Sequence, residues 1–121
     1  MREAVMADWA ASIVEAMYRD HPDLYERYGQ RGKEKCLEDN LHHIRHLRTC
    51  FELRDSQFFV DYVRWLDGIL RAHGMQTAHL LDNLERLAAT LPGVPELDDE
   101  ERRMYEESLR VAMDTLRRRG E

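Results

Sequence analysis

The stretch from Gln30 to Leu53, QRGKEKCLEDNLHHIRHLRTCFEL, is the longest uninterrupted helical pattern in the sequence. At about 100° per residue, Leu37, Leu41, Ile44, Leu47 and Phe51 fall on one face of a helix. That face requires burial, so this segment is expected to be the central helix of an all-helical domain. It also holds both cysteines and three of the six histidines.

The rest of the chain reads as further helices. Residues 3–19 place Val5, Met6, Trp9, Ala10, Ile13, Ala16 and Met17 on one side. His21-Pro22 ends that run, because the residue before proline is pushed out of the α region. Residues 22–29 read as a short helix or bent lead-in, punctuated by Gly29 and Gly32. Asp55 can cap a helix over about 56–73, with Gly74 at its C′ position and Thr77 as cap of the next, to Leu91. Phe58, Phe59, Tyr62, Val63, Trp65, Leu66, Ile69 and Leu70 span roughly 160° of that third wheel, so this helix is expected to pack on two sides. Pro92-Gly93-Val94-Pro95 forces a turn before a last helix. That helix opens on Asp98–Glu101 and closes on Arg117–Arg119, charges that suit its dipole. No alternating strand pattern occurs. The expectation is one domain over residues 1–121, an up-down bundle of four long helices and one short helix.

Composition narrows the function classes. The net charge of −6 disfavours binding to nucleic-acid phosphate, and no apolar run approaches 18 residues, so no membrane span is expected. Two cysteines without an export signal read as reduced thiols in the cytoplasm.

Several side chains could carry chemistry. Cys36, His43 and Cys50 follow one flank of the central helix at intervals of seven, a thiol–imidazole–thiol line. Seven residues rise about 10.5 Å, so no two of them share one metal ion unaided. Free cysteine also packs as a small apolar residue, and the thiols are expected to be packing positions, with neither a structural metal nor a Cys36–Cys50 disulfide. His42 and His46 are four apart but lack the glutamate of a zinc-protease helix, and read as solvated surface. His73 falls on the broad apolar face of the third helix, in its last turn, where it can cap carbonyls or ligate a tetrapyrrole. Tyr62 and Trp65 share that face and are the accompanying cofactor-contact candidates, with core packing as the plainer reading. Arg27, Arg31, Lys33 and Lys35 make the one local positive excess, diluted by Glu34, Glu38 and Asp39. No nucleophile constellation or phosphate loop is recognisable, so catalytic residues are not assigned.

Tyr28-Gly29-Gln30-Arg31-Gly32-Lys33-Glu34-Lys35-Cys36-Leu37-Glu38-Asp39 forms one distinctive segment. Phe59-Val60-Asp61-Tyr62-Val63-Arg64-Trp65, followed by Leu70-Arg71-Ala72-His73-Gly74, forms another. Together they resemble a bacterial helical domain that occurs upstream of vitamin B12-binding modules in regulators, and also alone. The resemblance covers about Tyr25 to Leu87 and implies an all-helical module in a regulatory or sensory setting. In such proteins the bundle lies over a cofactor held by a separate α/β domain. This sequence shows neither that domain nor an Asp-x-His-x-x-Gly motif, and no cofactor-contact residue carries over.

The leading expectation is therefore a non-enzymatic regulatory, sensory or protein-interaction module. The alternative is a small cofactor protein binding a tetrapyrrole or metal through His73 or the Cys36/His43/Cys50 flank. A homodimer is expected through a second apolar line on the last helix, Met104, Ser108 and Val111, because a two-sided helix seeks a second surface to cover it.

Overall fold

The computed structural model describes residues 1–119. It contains α1 (Glu3–Asp20), α2 (Asp23–Leu53), α3 (Gln57–Ala72), α4 (Thr77–Thr90), a 3-10 turn (Leu91–Gly93) and α5 (Asp99–Arg119). The described residues contain no strand. The α-helices number five, as expected, but none is short. The expected short helix is the first part of α2, which runs on through a kink at Gly29 (φ 66°, ψ −163°). A side chain rarely tolerates that left-handed backbone, and glycine does.

Ion pairs show how the helices run. Glu3 meets Arg45 at 3.3 Å and Glu15 meets Lys33 at 3.0 Å, so α1 and α2 are antiparallel. His43 and His46 of α2 contact Tyr62 of α3, and His46 also stacks on Phe58, which makes that pair antiparallel too. Arg54 pairs with Glu100 at one end and Asp67 with Arg119 at the other, so α5 runs alongside α3 in the same direction. α5 packs on α2, α3 and α4, and α4 closes the far side against α1.

Local chemistry fixes the joints. Asp55 accepts the Gln57 amide at 3.0 Å just ahead of α3, whose N-cap position is Ser56 rather than the expected Asp55. α3 ends in a Schellman arrangement: Gly74 (φ 85°) lets Met75 N–H reach Leu70 O at 2.9 Å and Gly74 N–H reach Arg71 O at 3.0 Å. α4 is not capped by Thr77. His79 Nδ1 instead accepts the Gln76 amide at 3.1 Å, and Thr77 donates to the Asp67 carboxylate at 2.8 Å. The proline turn is clamped by Arg102, which donates to the Leu91, Val94 and Leu97 carbonyls at 2.6, 3.1 and 3.2 Å.

The core joins Met6, Trp9 and Ile13 of α1 to Ile44, Leu47 and Cys50 of α2, Phe59 and Val63 of α3, Leu84 and Leu87 of α4, and Tyr105 and Leu109 of α5. The buried side of α2 is rotated from the expected stripe. Asn40, His43, Ile44, Leu47 and Cys50 are buried, while Leu37, Leu41 and Phe51 are half-buried. The polar pair turns inward because each member finds a partner there, as described below, and Phe51 is covered by the Arg54 guanidinium 4.2 Å above its ring.

The expected seam on α5 is also corrected. Ser108 is fully buried inside the chain, and Val111 packs against the chain's own core. Met104 is half-buried. Ser108 sits against α2, where its hydroxyl faces the Cys50 thiol, so Ser108 is not open to a second molecule.

Candidate functional site

The first half of α2 does not pack tightly on its neighbours. It leaves a cavity of about 190 Å³ bounded by Met17 and Tyr18 of α1, Leu24 to His43 of α2, Leu66 and Leu70 of α3, Met75, and His79 to Asn83 of α4. Most of the wall is apolar, and its sulfur atoms belong to Met17, Met75 and Cys36. Tyr28, Lys35 and His79 are exposed and form the rim. Lys35 is anchored there by Asp39 at 3.0 Å.

Of three buried polar groups here, Asn83 and His43 line the cavity and Asn40 is bonded to Asn83. Asn40 and Asn83 exchange both amide hydrogen bonds, at 3.0 and 2.7 Å, and Asn40 also donates to the Cys36 carbonyl at 3.0 Å. That network is satisfied, which is the condition for burying amides at little cost. The third group is His43, 2% exposed, whose Nδ1 lies 2.7 Å from the Tyr62 hydroxyl. Burial, reinforced by neighbouring His46 and His42, holds its pKa down to about 3, so the ring is neutral at neutral pH. Burial likewise raises the Tyr62 phenol well above its ordinary value. With the Tyr62 O–H as donor to Nδ1, the imidazole proton resides on Nε2.

The expected site residues separate. Of the thiol–imidazole–thiol line, Cys36 and His43 line the cavity and Cys50 does not. Cys50 is fully buried near Phe59 and Ser108. Burial pushes both thiols up to about 11, which keeps them protonated and weakly nucleophilic. Both are free. Tyr62, Trp65 and His73 do not converge: none lines the cavity. Trp65 is 62% exposed with its ring 6.4 Å from that of Tyr62. His73 is exposed at the end of α3, where its Nδ1 lies 2.9 Å from the Ile69 carbonyl oxygen, the capping role. The cavity is smaller than the roughly 300–1,000 Å³ of pockets that hold drug-sized ligands, and a tetrapyrrole is larger still. His46 is not solvated surface either: it stacks on Tyr62 with ring centroids 3.7 Å apart. Among the described residues no three His, Cys, Asp or Glu side chains gather as a metal shell. No helix there is long and apolar enough to cross a membrane.

Two polar clusters were not anticipated. One is the Asn40–Asn83 pair. The other is buried Asp67, which holds Thr77 at 2.8 Å and Arg119 at 3.3 Å and so ties α3, α4 and α5 together. The readable signal was register: Asn40 and Asn83 each sit four or three positions from buried apolar neighbours, on the face that points inward. Comparison with protein-family profiles, curated proteins and solved structures finds no match.

Proposed function

We propose that the chain is a non-enzymatic helical regulatory module that acts by protein contact through the outward face of α3, with a second copy of itself as the first partner. One observation carries this reading. α3 buries Phe59, Val60 and Val63, yet keeps Phe58, Trp65 and Ile69 at 36%, 62% and 37% exposure on the other side. Large exposed apolar side chains gathered on one helix mark an interaction surface. Tyr62 and His46 stack beneath them and hold the surface rigid. Gly68 and Ala72 are exposed on the same side, and a Cβ at Gly68 would meet nothing within 4 Å, so another helix can approach closely. The rim carries both signs, Asp61 and Arg64 one turn apart, and a two-fold copy sets each against its opposite.

Finer parts of the reading rest on separate supports. An up-down order is supported by the antiparallel pairings of α1 with α2 and α2 with α3. A cytoplasmic setting is supported by two free thiols. Kinship with the helical domain upstream of vitamin B12-binding modules rests on the sequence segments Tyr28–Asp39 and Phe59–Gly74 alone.

Sedimentation equilibrium tests the contact. The chain should be dimeric at micromolar concentration, and Phe58→Lys/Trp65→Lys should give a folded monomer. A monomeric wild type, or a charged variant that stays dimeric, removes this face as the interface.

A further inference from the structure

We infer that the cavity between α1, α2, α3 and α4 is a binding site for a small uncharged aromatic molecule carrying one oxygen acceptor, which meets His43 Nε2. The site is separate from the outward face of α3, and neither reading depends on the other.

Size sets the first limit. An engineered cavity of about 150 Å³ lined by apolar side chains binds benzene. At about 190 Å³ this one takes a single ring with a short substituent. Wall chemistry sets the second. Met17, Met75 and Cys36 place three sulfur atoms around the space, and sulfur makes favourable contacts with aromatic ring edges. Tyr18 and Tyr28 add aromatic surface at the open side.

Polarity sets the third limit. Of the buried polar groups on the wall, Asn83 is used by the Asn40 amide, and half-buried Asp39 is used by Lys35. His79 Nδ1 is engaged by the Gln76 amide. His43 is the exception. Its Nδ1 is held by Tyr62, and its Nε2–H has no acceptor among the described residues although the ring lines the cavity. A ligand oxygen in the cavity can accept from that donor. A carboxylate is disfavoured, because the neutral imidazole offers it no charge and the Lys35 ammonium at the rim is already paired with Asp39. Tyr62 is a positioning residue here: its hydroxyl fixes which ring nitrogen carries the proton.

Titration calorimetry of the full chain with acetophenone is the test, with ethylbenzene as the ring lacking oxygen and benzoate as the charged ring. Acetophenone should bind one to one with Kd at or below about 1 mM. Ethylbenzene should bind about 3–10-fold more weakly, the usual net contribution of one hydrogen bond, and benzoate should not saturate. Leu70→Trp, which fills the cavity, should abolish acetophenone binding while helicity is retained. Tyr62→Phe should narrow the ratio of acetophenone to ethylbenzene affinity and leave ethylbenzene unchanged, a readout that survives if Leu70→Trp fails to fold. Absence of saturable acetophenone binding overturns the site. Equal affinity for ethylbenzene, or a ratio unmoved by Tyr62→Phe, overturns the role of His43, and so does tight benzoate binding.

Discussion

The two halves of α2 carry one cysteine each and are built on different rules. Around Cys50 the chain is dry and close-packed: Phe59, Tyr105, Leu109 and Ala112 are fully buried. Around Cys36 the helix faces a cavity, and the interior holds Asn40, Asn83 and His43. The dry end obtains stability from apolar area, about 1.5–3 kcal/mol for each large side chain buried. The cavity end forgoes part of that packing and keeps polar groups whose hydrogen bonds fix their orientation. Close packing specifies a fold, whereas oriented polar groups beside empty space can specify a ligand.

The contrast is first sharpened by truncating one leucine at each end. Leu109→Ala in the dry end should cost about 3–5 kcal/mol in urea denaturation. Leu70→Ala, on the half-buried cavity wall, should cost about 1–2 kcal/mol, since the space it leaves joins existing space. Equal losses would break the distinction between the two ends.

Acid should then act through the cavity end. His43 has a folded pKa near 3, below its ordinary value of 6.5, so the unfolded chain binds a proton that the folded chain refuses. Its contribution is constant above about pH 6.5 and declines as pH falls toward 3, by up to about 1.4 kcal/mol per pH unit. Asp20, held down to about 2 by Arg19 and Arg86, adds a loss in the same direction only at lower pH. Denaturation midpoints between pH 6.5 and 4.5 should therefore slope steeply in the wild type and much less in His43→Gln.

A smaller effect concerns the buried amides. Asn40→Ala strands Asn83 and should cost about 1–3 kcal/mol, whereas Asn40→Leu/Asn83→Leu together should be nearly neutral. The double-mutant cycle measures the coupling. If the two single losses simply add, the pair is not acting as a unit.

How much of this was legible in the sequence follows from what each signal encodes. The helical character and some ends were readable, because apolar period, Gly74 and the proline turn act locally, whereas the start of α2 and the cap of α4 were not. The inward side of α2 was readable only in part. Leucine marks apolar period, but Asn40 and His43 turn inward only because Asn83 and Tyr62 wait on other helices, and a partner 43 or 19 positions away leaves no local trace. The same reason explains the site. His73 and Trp65 looked inward on a wheel wide enough to suggest burial on two sides. α3 has neighbours on one side, so Trp65 faces out and His73 caps its own helix. The spacing with the cysteines singles out His43, which owes its place instead to Tyr62.

The kink at Gly29 has a consequence for local stability beside the cavity. The turns before it carry Tyr25 and Tyr28, which remain 51% and 46% exposed, so little apolar area holds them down. Such segments open by local unfolding, at a small fraction of the free energy needed to unfold the whole chain. Leu24 and Tyr28 form the cavity wall on that side. The first turns of α2, hinged at one glycine, are therefore expected to fray before the dry end does.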